Sequence, residues 1–438
     1  MCVAGVCSPT PDPTVHVAVD SSERYQTLIG FGATVGFVQG EIVQYDNKAE
    51  LYEAMFAEAG TDILRVRNSY GYVDQEDLDS TSEILSAASD SLGRSPTVML
   101  TSWSPPGSLK ANGAPLCEGN FDTCTLTTLS DGSFDYAGFG SYWRASLDAY
   151  ASFGVDVDYI GIQNNPDWLP PESAPNEACR FLPTEGTATV SIDETDVEVR
   201  YPGFDQALAA VVAELEGLDS PPMIAAPEAS GVLAVADYIS ELDITNVDAI
   251  SHHMYQTDPT AVDVGSLEAL GELGRQNERP LLQTEMQADG LGTAVLVYYS
   301  LAVEGASAYV QNDFVSSASR LTDNPTALIA MNAEDIALQA PYYALRHYAL
   351  HTDPGWVRVG ATSDEADLLA SAWLSPEEDA LTLVLVNTGL RELALELDPG
   401  EGGVTTSEVT RTVFEGVERA AQLGPLPVDS IVPSSSAR

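Results

Sequence analysis

Short apolar runs recur along residues 26–350, each closed by a polar loop and followed by a stretch with apolar positions at helical spacing. The pattern predicts strands at 26–33, 63–66, 97–101, 159–162, 223–226, 249–251, 281–284 and 308–311, with helices supported at 48–58, 142–152, 204–216 and 292–302. Eight alternating strand and helix units with right-handed crossovers close naturally into a (β/α)8 TIM barrel. A doubly wound open sheet is the alternative, weakened because no glycine-rich phosphate loop follows the first strand.

After a helical stretch at 341–347 the texture changes. Runs at 357–360, 368–373, 381–386, 393–397 and 409–413 are short, strand-like and separated by Gly, Pro, Asp and Glu. They predict an all-β sandwich over 351–438, its tail at 433–438 frayed. Residues 1–25 form an N-terminal segment whose alternating stretch at 14–19 adds a strand to that sandwich, leaving 26–350 as the barrel. A length of 438 residues suits a barrel of about 250 residues or more with a smaller companion.

Charge narrows the function classes. With 18 Lys+Arg against 66 Asp+Glu the formal net charge is -48, which disfavours nucleic acid and anionic membrane surfaces as partners. The acids are scattered, as on a solvated acidic surface; an acidic metal-binding surface is the other reading. No apolar run reaches the roughly 18 residues that span a bilayer. A monomer without cofactor or resident metal is expected.

Five cysteines are present. Cys117 and Cys124 bracket a short Gly/Asn/Asp loop and are candidates for a disulfide, Cys2 and Cys7 form a weaker pair, and Cys179 is left over, buried and inert. Disulfides fit an exported or cell-surface protein whose leader peptide has been removed. Zinc fits less well, because no CxxC occurs and no His lies close to either pair.

Barrel strand ends are where side chains converge on one cleft. They carry Arg65 and Asn68 after the second strand, Trp103 after the third, Asn164 to Trp168 after the fourth and Glu228 after the fifth. His253 and Tyr255 follow the sixth and Glu285 the seventh. A cleft with aromatic walls, carboxylates and amides suits an oligo- or polysaccharide: rings pack on sugar C–H faces, while acids and amides bind hydroxyls.

Gly30-Phe-Gly-Ala33, Leu64-Arg-Val-Arg-Asn-Ser-Tyr-Gly71, Thr101-Ser-Trp-Ser-Pro-Pro106, Ile162-Gln-Asn-Asn-Pro-Asp167, Gln283-Thr-Glu285 and Pro354-Gly-Trp-Val-Arg-Val359, taken in order, resemble glycoside hydrolase family 30 over nearly the whole chain. The resemblance implies a (β/α)8 barrel with a side β-sandwich and retaining hydrolysis of β-linked glycans, often xylans. It implies Glu285 as nucleophile and puts Asn164, Arg65, Trp103, Trp168, Glu228, His253 and Tyr255 in the substrate site. Core packing is the other reading of Trp103 and Trp168, and a satisfied buried acid the other reading of Glu228.

Two positions depart from the family pattern. Where the family has Gln-Asn-Glu-Pro, with the glutamate as acid/base, this chain has Asn165, and an amide has no proton to exchange near neutral pH. Where the family has a tryptophan on the cleft floor, the chain has Asn312. Asp167, Glu172, Glu177 and Glu228 are the acids near enough in sequence to stand in. The expectation is a secreted retaining β-glycoside hydrolase with an atypical or impaired acid/base, acting on a plant or algal β-glycan such as xylan. The alternative is a non-catalytic glycan-binding protein derived from the same fold.

Overall fold

A computed structural model describes residues 14–400 apart from 72–74, 193–194, 318–324 and 334, together with short strand segments outside that range. Eight parallel strands close into a barrel: β1 (Gly30–Val35), β2 (Ile63–Arg67), β3 (Thr97–Thr101), β4 (Tyr159–Gly161), β5 (Met223–Ala229), β6 (Ala249–His253), β7 (Leu281–Met286) and β8 (Ala308–Gln311). β8 pairs with β1 and so completes the ring.

The strands are buried on both faces, which is why they read as continuous apolar runs rather than alternating ones. Ile63, Met99, Tyr159, Ala225, Ala249, Leu282, Ala308 and Val310 fill the lower barrel. The opposite faces of the strands join the helices in one large core around Phe31, Leu100, Trp143 and Tyr309. Helix starts are fixed by aspartate caps: Asp135 accepts from Gly138 N at 2.8 Å, and Asp289 from Gly292 N at 2.7 Å.

β1 begins at Gly30, four residues later than the apolar run predicted. Gln26 and Thr27 belong instead to a strand spanning Thr14–Thr27, which pairs antiparallel with Val357–Ser363 and parallel with Leu393–Asp398. That strand lies inside a six-stranded sheet with Leu381–Asn387, Leu368–Leu374 and Val432–Ser434. Val15, Val17, Leu368, Ala370, Leu393 and Leu395 form its core. The sheet docks on the barrel through Trp373, which meets the Tyr348 ring edge-on at 5.6 Å. The Cys2–Cys7 side chains and the tail at 435–438 lie outside the described residues.

The parallel register breaks near the carboxyl ends of three neighbouring strands: between Pro227 and Ala229, between His252 and His253, and between Gln283 and Met286. Such irregularities re-aim side chains next to active sites. Here they fall at Glu228, His253 and Glu285.

Candidate active site

The turn after β4 is pinned on both sides. Asn164 N donates to Ser102 O at 2.7 Å, and Asn165 N donates to Glu228 O at 3.1 Å. Asp167 accepts from Ser230 N (2.8 Å) and Ser230 Oγ (2.6 Å), which closes the turn against the end of β5. Asn165 has φ +46°, a left-handed backbone that asparagine tolerates better than most residues.

Arg65 is the hub. Its side chain is fully buried, and it donates to Glu285 Oε2 at 2.5 Å and to Asn164 Oδ1 at 2.7 Å, with Glu228 Oε1 3.4 Å away. Burial opposes the guanidinium charge, but Glu228 and Glu285 outweigh it and hold its pKa above the ordinary value. The Trp103 ring lies 4.4 Å from the guanidinium carbon and meets the Phe37 ring edge-on, so Trp103 is a buried platform under Arg65.

The other Glu285 oxygen is also held. Tyr255 donates its hydroxyl to Oε1 at 2.5 Å, and Asn312 Nδ2 lies 3.4 Å from both Oε1 and the Tyr255 hydroxyl. Burial, and then the Glu285 charge, push the Tyr255 phenol well above its usual pKa, so it stays a donor. Donors from the ends of β2, β6 and β8 thus meet on one carboxylate.

Beside this cluster the His253 ring meets the Tyr255 ring edge-on at 6.0 Å. His253 Nδ1–H donates to Asn165 Oδ1 at 2.8 Å. Burial, with Arg65 and His252 adding, drives the His253 pKa well below its usual range, so the imidazole is neutral. Glu228 is completely buried, and its carboxyl occupies the space that any side chain at Gly161 would need. Burial pushes that carboxyl up, Arg65 pulls it back, and Glu285 adds to the rise.

Of the ten residues expected at the site, Arg65, Trp103, Asn164, Asn165, Glu228, His253, Tyr255, Glu285 and Asn312 are linked by the contacts above, while Trp168 joins them through its backbone bond to Asn165. Glu228 and Glu285 sit within their strands rather than beyond them. Trp168 is 37% exposed on the β4 turn, Tyr255 39% exposed, and Trp103 is core-like. Phe37, 37% exposed two residues beyond β1, was missed because the first strand was placed too early. Also missed was the bidentate pair Arg67–Glu177, at 2.9 and 2.6 Å, which ties β2 to the loop after β4. That loop pairs through Asn176–Glu177 with Leu116–Cys117, where Cys117 and Cys124 form a disulfide; Cys179 is free and buried. Among the described residues no group of three His, Cys, Asp or Glu side chains is arranged for a metal ion.

Comparison with known proteins gives the architecture a family context. The chain superposes on the catalytic domain of the GH30 xylanase C from Talaromyces cellulolyticus with a TM-score of 0.70 and 16% identity, covering 95% of this chain and 99% of that one. It superposes on a GH30 endoxylanase from Clostridium papyrosolvens with a TM-score of 0.71 and 17% identity, covering 96% and 97%. The fold is that of family 30 glycoside hydrolases. In sequence, the chain is 26% identical over 201 residues to an endo-1,6-β-D-glucanase of Aspergillus fumigatus, covering 37% of this chain and 40% of that relative. The match therefore spans about two fifths of that protein's length. No family model matches the chain.

Proposed function

We propose that this chain is an exported, retaining β-glycoside hydrolase of family 30 type, binding a glycone of the xylan or β-glucan class, with Glu285 as nucleophile. The observation that carries the reading is the convergence of Arg65, Tyr255 and Asn312 on the two oxygens of Glu285. A carboxylate gripped on both sides cannot rotate away, so one oxygen is held ready for in-line attack on an anomeric carbon. Asn164, bridged to the same Arg65, supplies an amide for a sugar hydroxyl, and the half-exposed rings of Phe37, Trp168 and Tyr255 supply apolar faces.

Xylan rests on the likeness to xylanases; β-1,6-glucan rests on the partial match to a glucanase. Asn312 in place of a floor tryptophan favours a more polar glycone subsite than a flat ring platform would. Export is supported by the Cys117–Cys124 disulfide.

Asn165 favours the second reading, a glycan-binding protein without turnover. In a retaining hydrolase the partner carboxyl stands about 5 to 5.5 Å from the nucleophile and donates the proton to the departing oxygen. Here an amide bonded to a neutral imidazole occupies that turn. Incubation with activated fluoro-xylosyl and fluoro-glucosyl donors carrying a dinitrophenolate group separates the two. A nucleophile yields a covalent sugar on Glu285, located by peptide mass analysis; a pure binder yields none.

A further inference from the structure

Given the nucleophile assignment above, on which this inference rests, we propose that the natural substrates are aryl β-glycosides, in which the sugar is joined through an acidic, phenol-type oxygen that leaves without being protonated. Two independent observations carry the idea: the turn after β4 presents an amide, with Asp167, Glu177 and Glu228 engaged elsewhere, and the same turn carries an exposed indole ring.

Three of the four acids near the β4 turn are occupied elsewhere. Asp167 holds Ser230 through both its oxygens. Glu177 grips Arg67 bidentately. Glu172 is exposed and lies beside the disulfide loop, where a side chain at Gly119 would stand 2.7 Å from its Cβ. Glu228 is sealed under the cleft against Gly161 and Thr101. Asn165 itself is held by His253, and neither carries a proton that can be given up near neutral pH.

The leaving group of a retaining hydrolase departs beside the position that Asn165 occupies. On the same turn, Trp168 N donates to Asn165 O at 3.0 Å, and the Trp168 ring is the exposed large apolar group three residues on. An indole face stacks on a planar phenol, so the turn exchanges proton donation for aromatic binding.

The chemistry balances without an acid. A Glu285 oxygen attacks the anomeric carbon, and the bond from that carbon to the aryl oxygen breaks with its electron pair leaving on the phenolate. The phenolate takes a proton from water once released. Water then attacks the anomeric carbon, loses its proton to bulk buffer and frees the Glu285 carboxylate. A small anionic nucleophile such as azide can replace water in this second step, needing no base and giving the β-glycosyl azide.

The test uses the full chain with aryl β-xylosides and β-glucosides whose phenols range from dinitrophenol to unsubstituted phenol, with xylobiose as the unactivated control. kcat/KM should fall steeply, about tenfold for each unit of leaving-group pKa. Azide should raise turnover of the dinitrophenyl substrate and yield the β-azide. Trp168→Ala should raise KM for the aryl series about tenfold while fluoro-sugar labelling of Glu285 persists. A shallow dependence on the phenol, or xylobiose hydrolysed within tenfold of the dinitrophenyl glycoside, overturns the proposal, because a proton donor must then be at work. The nucleophile assignment fails by a different result, the absence of a fluoro-sugar adduct on Glu285.

Discussion

Asn165→Glu places a carboxyl on the β4 turn, where the proposed mechanism would need a proton donor, and its consequences divide into a kinetic gain and a structural cost. General acid/base assistance contributes about 10² to 10⁴ in rate, equivalent to about 3–5 kcal/mol of barrier. The gain should be full for phenyl glycosides and xylobiose, whose leaving oxygens need a proton, and near zero for dinitrophenyl glycosides. The cost has two sources. Glutamate at φ +46° is strained by about 1 kcal/mol where asparagine is tolerated. The longer side chain also gives up the 2.8 Å bond that His253 makes to the amide, in a dry setting, for about 1–2 kcal/mol more. Melting should therefore drop by a few degrees while catalysis rises. A new carboxyl close to Glu285 should also give the activity an alkaline limb, since the acid must be protonated to work. The assay is kcat/KM for both chains across the leaving-group series, with thermal melts in parallel. A folded Asn165→Glu protein that gains nothing on phenyl glycosides would refute the placement of the proton-delivery position at residue 165.

Three further perturbations address the supporting groups. Arg65→Met leaves Glu285 and Glu228 buried without their cation; stability should fall by about 3–5 kcal/mol in urea unfolding, and fluoro-sugar labelling of Glu285 should vanish. Gly161→Ala drives a methyl group into the Glu228 carboxyl and should cost about 1–3 kcal/mol, while the double change with Glu228→Ala should cost less than the sum of the two single changes; strict additivity would disprove the contact. Burial raises the Asp62 carboxyl to about 7, with Arg94 opposing the rise. Its folded pKa lies above the unfolded one, so the stabilisation from its bound proton is complete below about pH 4 and lost as pH rises through 7. The stability difference between the parent chain and Asp62→Asn should shift by a few kcal/mol over that window, and a flat difference in melts from pH 4 to 8 would contradict it.

The barrel was legible because strands buried on both faces leave runs that need no periodicity to be seen, as at Thr97–Thr101 and Ala308–Gln311, where the predicted bounds match the observed strands. The helix Gln75–Leu92 was not predicted: its stretch is dominated by Ser, Asp and Glu, with Leu78, Ile84, Leu85 and Ala88 as its buried apolar residues. The hairpin Gly186–Ile192 and Thr195–Tyr201 was likewise missed; Gly186–Ile192 buries no residue, so its sequence carries no core signal. Within the site, the residue types at strand ends were readable, but their partners were not. Arg67 and Glu177 are 110 residues apart, and nothing local in either stretch specifies the other. The register breaks that turn Glu228, His253 and Glu285 toward one cleft arise from pairing between strands, which a single chain read in order does not display.

The arrangement around Arg65 bears on whether the cleft is a relic. A fully buried guanidinium with two carboxyls within 3.4 Å carries a desolvation penalty of several kcal/mol per ion, and well-packed apolar side chains would serve the barrel core as well or better. Nothing in the packing of β2 requires a charge there, since Ile63, Leu64 and Val66 already supply its apolar contacts. Besides Glu228, the charge meets Glu285 and Asn164, the two groups that the proposed function sets against a sugar. A binder that had discarded its chemistry would keep the amide and the rings but would have no use for a carboxylate gripped on both oxygens. The cost is met around Glu285, the proposed nucleophile, while Asn165 and His253 form an uncharged pair. That asymmetry is what the proposed one-carboxylate glycosyl transfer would require: strong preorganisation at the nucleophile and an uncharged pair where a proton donor would otherwise stand.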